Sequence, residues 1–184
     1  RQVRDSRINA TQAVVAAIEA AAEKPRVLLQ GSAVGYYGFR GQESLGESSP
    51  PGEGWRAEVT QAWEATSDPV EAQGVRRCLL RIGIVLDRRK GILPPMVLAA
   101  RLMGNQIGGG RQWVSWVHNQ DVAGGIIHLM QDESTSGPYN LTAPYPVTNV
   151  VMMHTIGQVK HWPSFIPVPG IALRLVLGDI ASTV

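Results

Sequence analysis

The chain has 184 residues, 44% of them hydrophobic, which is enough for one domain with a sizeable core or for one and a half. Its formal charge of +2, with both signs interspersed, argues against nucleic acid or an anionic membrane as partner. A single cysteine, Cys78, leaves no disulfide framework within the chain and fits a reducing compartment.

No apolar run reaches transmembrane length and no signal peptide is visible. The opening RQVRDSRINATQ reads as the middle of a structured domain, so the chain is expected to be a segment of a longer protein. Asp5 or Ser6 is the expected cap of a first helix running to about Glu23. Its many alanines, with Ile8, Val14, Val15 and Ile18 between them, suit packing on a sheet. Lys24-Pro25 ends it.

The stretch RVLLQGSAVGYYG (26–38) follows. Val27-Leu28-Leu29 reads as a buried parallel strand, ended by small residues. Ligands of doubly wound α/β sheets bind beyond the carboxyl ends of the strands, so the stretch bearing Ser32, Tyr36 and Tyr37 holds site candidates by position. Gly31, Gly35 and Gly38 resemble a dinucleotide-binding fingerprint. That fingerprint needs a helix directly after it, and FRGQESLGESSPPGEG reads as loop instead.

A second helix is expected from Trp55 to about Gln73, shortened or kinked by Pro69. Residues 77–86, RCLLRIGIVL, read as one buried strand, with Gly83 marking close approach of a ligand or another backbone. Cys78 within it reads as a small core residue. Helix and strand alternate, which predicts a parallel sheet with helices on its faces.

Residues 91–104 predict a helix with Pro94 and Pro95 in its first turn. Gly108-Gly109-Gly110 predicts a turn feeding a strand that ends near His118. Asn119 is the expected cap of a helix to about Gln131, Pro138–Leu141 a short strand, and Thr148 the cap of a helix to about Lys160. Residues 164–168 read as extended and 170–181 as helical. His128, His154 and His161 are isolated, and no metal-ligand spacing occurs.

The motifs DSRINAT (5–11), GSAVGYYG (31–38), AWEAT (62–66), LLRIGIVL (79–86), GGGRQWVSWVHNQD (108–121), YNLTAPYPVTN (139–149) and IPVPGIALRLVLG (166–178) cover nearly the whole chain. In that order they resemble the extended short-chain dehydrogenase/reductases, in their atypical epimerase-like branch. The resemblance implies a Rossmann-like, doubly wound α/β fold lacking its N-terminal βαβ part. It implies residues 1–103 as the second half of an NAD(P)-binding domain. Residues 104–184 become mainly a substrate-binding region, with the helix at 118–132 returning to the first domain. It implies NADP or NAD as cofactor, NADP being favoured, and a small sugar-like or carbonyl substrate. It also implies a cytoplasmic or organellar-matrix setting and a homodimer.

The family's hydride chemistry uses Tyr-x-x-x-Lys, the cation lowering the phenol's pKa. Counting back from Glu64, which matches the family's helix glutamate, those two positions hold Arg56 and Thr60, and no Tyr-x-x-x-Lys occurs in the chain. A different acid/base, or a binding protein without turnover, is the alternative. Ser32 matches the family's serine, to hold a substrate or cofactor oxygen or to form a turn. Tyr37 matches a pocket tyrosine and is the chosen acid, while Tyr36 reads as packed. Arg7 and Arg56 are candidate cofactor contacts, Arg7 meeting a phosphate or making a surface ion pair. Gly83 and Val85 match the segment beside the nicotinamide. Gln112, Trp116 and His118 match the substrate cleft. Trp116 and His118 share one strand face, with His118 an acid/base or bonded to Asp121.

Overall fold

The structure, a computed structural model, describes residues 2–103 and 109–162. In chain order the helices and strands are α1 (Gln2–Ala20), β1 (Val27–Ala33), α2 (Trp55–Ala65), β2 (Arg76–Ile82), β3 (Ile84–Leu86), α3 (Leu93–Met103), β4 (Trp113–Val114), β5 (Trp116–His118), α4 (Asn119–Gln131), β6 (Gly137–Leu141), β7 (Val147–Thr148) and α5 (Asn149–Val159). Two 3₁₀ turns, Val34–Tyr37 and Asp68–Gln73, interrupt the connections. The elements expected at 164–168 and 170–181 lie outside the described residues, as does Gly108.

Two compact units share the chain. Among the described residues, the first takes those up to Gly83 together with Gln120–Leu141, and the second takes those between Ile84 and Asn119 and those from Thr142 to Trp162.

In the first unit β1, β2 and β6 form a parallel sheet in that order. Its two faces differ in chemistry because side chains alternate along each strand. Val27 and Leu29 of β1 join Cys78, Leu80 and Leu129 in an apolar cluster on the α4 face. Leu28 joins Ile18, Val70 and Val75 on the face covered by α1 and the second 3₁₀ turn. On that same face Gln30, Ser32 and Arg81 are buried and polar, so each requires a partner.

Helix boundaries shift from expectation for local reasons. α1 already begins at Gln2, and Ser6 Oγ donates to the Val3 carbonyl within the helix at 3.0 Å instead of capping it. It ends at Ala20 because Lys24 Nζ closes its carboxyl end, donating to the carbonyls of Ile18, Glu19 and Ala21 at 2.9, 2.8 and 3.0 Å. α2 stops at Ala65, and Pro69 opens the 3₁₀ turn that follows, as its missing N–H favours.

The run 77–86 is two strands, not one. β2 pairs with β1 and β6, β3 pairs with β5 in the other unit, and the exchange of ladders falls at Gly83, whose N–H donates to Leu141 O at 3.1 Å.

In the second unit β3 and β5 pair in parallel and β4 pairs antiparallel with β7. α3 and α5 pack through Met96, Ala100, Met152, Met153 and Ile156 against Val114 of β4. Thr148 stands at the N-cap of α5 without a side-chain cap bond. Two of the helix's first N–H groups, of Asn149 and Val150, are taken by the carbonyls of Gln112 and Gly110 at 2.8 and 2.9 Å. Asn119 likewise spends its amide on Asp87, not on a cap of α4.

Candidate functional site

The carboxyl edge of the first sheet is built around a row of three side chains. Ser32 of β1 is paired in register with Arg81 of β2, and Arg81 with Asn140 of β6. From α2, Glu64 reaches this row. Its carboxylate accepts Arg81 Nε and Nη2 at 2.9 Å each, a bidentate pair, and Ser32 Oγ at 2.5 Å. Both partners of the pair are buried, with side-chain exposures of 4% for Arg81 and 8% for Glu64. Burial pulls the Arg81 guanidinium down, but the hydrogen bonds and charge of Glu64 and Tyr37 outweigh it and hold it above its ordinary value.

The remaining guanidinium nitrogen organises the 3₁₀ turn after β1. Arg81 Nη1 donates to the Tyr37 hydroxyl at 3.0 Å and to the Glu47 carbonyl at 3.3 Å. The Tyr37 hydroxyl donates in turn to Asn140 Oδ1 at 2.7 Å. Tyr36 lies with its ring centroid 3.4 Å from Arg81 Cζ and edge-on to Tyr37.

The loop 39–54 is fastened to the same place. The Asn140 N–H donates to Glu47 Oε1 at 2.9 Å, and the Gly52 N–H to Tyr36 O at 3.0 Å. Gly38, at φ +63°, begins the loop in a conformation that favours glycine, and any Cβ on Gly52 would fall on the Tyr37 carbonyl.

The structure thus gives each sequence-selected residue a definite environment. Ser32 is 5% exposed, with its hydroxyl committed to Glu64. Tyr37 is 4% exposed, its hydroxyl both donating and accepting. Arg7 is exposed on α1, with Cζ 5.2 Å from the Trp63 ring centroid and Nη1 donating to Val3 O at 3.1 Å. Arg56 is exposed in the first turn of α2. Thr60, at the family's lysine position, is buried and donates its hydroxyl to Arg56 O at 2.8 Å. Gly35 packs against this pair, 3.7 Å from Arg56 Cβ and Thr60 Oγ1 to its would-be Cβ.

Val85, Gln112, Trp116 and His118 belong to the second unit. Val85 pairs with Val117, and Trp116 and His118 flank the buried Val117 on the opposite strand face. Trp116 is half-buried, with Nε1 donating to Tyr145 O at 3.1 Å, and His118 is exposed.

Sequence reasoning did not single out Arg81, Asn140 or Glu47. Arg81 carried a signal: a charge in the middle of an apolar strand, which burial forces to find a counter-charge. Elsewhere, a surface groove of about 470 Å³ between α1 and α2, lined by Val15, Ala16, Ala62 and Ala65 among others, includes none of the candidate residues. Among the described residues no cluster has the make-up of a metal site, and no helix is long and apolar enough to cross a membrane.

No protein-family model matches the chain. It is 39% identical over 183 residues to the epimerase family protein YfhF of Bacillus subtilis, a match covering 98% of this chain and 60% of that protein. It is 37% identical over 187 residues to a chloroplastic SDR39U1 homologue of Arabidopsis thaliana, covering 100% of this chain and 54% of the relative. Among solved structures, human epimerase family protein SDR39U1 (isoform 2) with NADPH matches at a TM-score of 0.84 and 31% identity, over 96% of this chain and 60% of the human one. The nucleoside-diphosphate sugar epimerase of Corynebacterium glutamicum matches at 0.77 and 29%, over 98% of this chain and 41% of the other. The chain therefore spans less than two thirds of the length of these relatives. Along nearly its whole length it is homologous to the SDR39U1-type epimerase family proteins, and its fold is their Rossmann-like α/β fold.

Proposed function

We propose that this chain belongs to an NAD(P)-binding, epimerase- or dehydratase-like protein acting on a small sugar-like or carbonyl substrate. The observation that carries the reading is the strand and turn from Val27 to Tyr37: a parallel strand whose turn leaves at the carboxyl edge of the sheet. Open α/β sheets take their ligands on that side. The match to human SDR39U1 with NADPH supports a nicotinamide dinucleotide as the ligand.

The residues present suit such a ligand in charge. The guanidinium of Arg7 keeps N–H groups beyond the one on Val3 O that have no partner among the described residues, so it would take a phosphate oxygen. Arg56 would approach the cofactor from the first turn of α2, and Gly83 is proposed as a cofactor contact at the end of β2 on the family resemblance. Val85 is proposed as a cofactor contact, and Gln112, Trp116 and His118 as substrate contacts, on the family resemblance.

When bound, a nicotinamide supplies a hydride donor or acceptor. The proton is handled by protein side chains, and the usual ammonium beside a phenol is not among those of this chain. Thr60 has no charge and turns its hydroxyl onto its own helix. The exposed imidazole of His118 is an acid/base of the right type.

A second reading, binding without turnover, is supported by Thr60 and by the engaged hydroxyls of Ser32 and Tyr37. In either case the buried Cys78, packed against Thr135, suits a reducing compartment.

The intact protein, incubated with NADP+ or NADPH and a panel of nucleotide sugars and small ketones, separates the two. Nicotinamide absorbance reports net redox and proton NMR reports epimerised sugar. Turnover of any panel member is the expected result. Saturable cofactor binding with no product across the panel contradicts the enzyme reading in favour of the second.

A further inference from the structure

Two adjacent tyrosines occupy the turn after β1, and the structure treats their hydroxyls oppositely. Tyr37 is 4% exposed, gives its proton to Asn140 and receives one from Arg81. A phenol already donating and accepting inside the protein has little left for a ligand. Tyr36 is half-buried, and its hydroxyl has no hydrogen-bond partner among the described residues. Nor is that oxygen one of the buried, unsatisfied polar atoms, so it reaches solvent.

The ring of Tyr36 is not loose. One face rests on the Arg81 guanidinium, 3.4 Å from Cζ to the ring centroid, and Arg81 is itself locked by two bonds to Glu64. The Tyr36 carbonyl is tied to the Gly52 N–H, and Tyr37 meets the ring in an edge-on contact at 5.3 Å. Backbone, ring face and ring edge are all fixed, while the O–H is free. That is the arrangement of a preorganised hydrogen-bond donor.

We propose that Tyr36, not Tyr37, is the tyrosine that a ligand meets at the carboxyl edge, its phenol donating to an oxygen of the bound nicotinamide dinucleotide. Arg81 acts as the positioning residue that aims it. The proposal rests on the dinucleotide reading given above.

Limited nitration of the intact protein by tetranitromethane, mapped by peptide mass spectrometry with and without NADP+, tests it. The oxidised cofactor is used because the reagent would consume the reduced one. Tyr36 should nitrate well ahead of Tyr37, and saturating NADP+ should slow Tyr36 several-fold. Tyr145, 79% exposed on the second unit, serves as internal reference for reagent supply. Tyr37 nitrating as fast as Tyr36 overturns the proposal, as does an unchanged Tyr36 rate with NADP+ bound by calorimetry.

The Tyr36→Phe substitution removes only the oxygen and leaves the ring on Arg81. Its NADP+ affinity should fall roughly three- to tenfold with an unaltered melting temperature. Unaltered affinity overturns the proposal. Failure of the unsubstituted protein to bind any nicotinamide dinucleotide contradicts the dinucleotide reading instead. The order of Tyr36 and Tyr37 nitration, measured without ligand, remains separately readable.

Discussion

Ser32 and Arg81 stand opposite each other across β1 and β2 and converge on the same oxygen of Glu64, at 2.5 Å from Ser32 Oγ and 2.9 Å from Arg81 Nε. A serine that the family resemblance assigns to substrate therefore has an internal partner. Substituting Ser32→Ala should destabilise the fold by roughly 1–3 kcal/mol, the range for a buried hydrogen bond to a charged group. Nicotinamide dinucleotide affinity should stay within twofold. Urea unfolding and a cofactor titration on the same preparation check both. A large loss of affinity at unchanged stability would restore Ser32 as a ligand contact.

The Arg81–Glu64 pair behaves as a unit. Removing Glu64 alone, as Glu64→Ala, leaves a buried guanidinium without counter-charge and should cost about 3–5 kcal/mol. The double variant Glu64→Leu with Arg81→Met removes both charges and should be less destabilised than the sum of the two singles. A double-mutant cycle by chemical denaturation measures this coupling. Strict additivity would show that the two side chains do not depend on each other.

Much of the first unit was legible in the sequence, and the reasons are local. Val27-Leu28-Leu29 is a strand half-buried against an apolar cluster on each face because it is continuously apolar, and Pro69 breaks α2 because it cannot donate an N–H. What the sequence hid depends on residues distant along the chain. The N–H groups that a Thr148 cap would satisfy are taken in part by carbonyls at Gln112 and Gly110. The split of 77–86 at Gly83 reflects a change of ladder partners, which no apolar pattern encodes. Tyr36 and Tyr37 are indistinguishable as letters, and only the position of Arg81 and Asn140 separates them.

Gly52 fixes the return of the loop 39–54. A methyl group there collides with the Tyr37 carbonyl, and the neighbouring backbone has no slack because Gly52 N–H is bonded to Tyr36 O at 3.0 Å. Gly52→Ala should cost roughly 1–3 kcal/mol, as overpacked sites do. It should also make the loop the first point of limited proteolysis. Gly41→Ala tests a different quantity, since its Cβ meets nothing within 4 Å and its cost comes only from φ +61°. Thermal melts with protease mapping compare them. Equal effects from the two would contradict the close approach at Gly52.

Asp87 gives a pH prediction for the second unit. Its carboxyl is held below the usual range chiefly by the Arg89 N–H at 2.7 Å; desolvation opposes this, and the Lys90 N–H at 3.0 Å lowers it further. A depressed folded-state value means stability that is present above the ordinary carboxylate pKa and is lost as pH falls through the folded value. Asp87→Asn should therefore lower the neutral plateau of the melting-temperature profile while changing its acid end little, which flattens the acid limb. An unchanged acid limb would show that Asp87 does not couple pH to the stability of this unit.

We propose that the carboxyl edge carrying Tyr36, Arg7 and Arg56 takes a nicotinamide dinucleotide. Titration of the intact protein with NADP(H) can be followed by tryptophan fluorescence, because Trp63 lies under Arg7, 5.2 Å from Cζ to its ring centroid. The predicted result is a saturable change that weakens when Arg7 or Arg56 is replaced by alanine. No change at millimolar cofactor would contradict it.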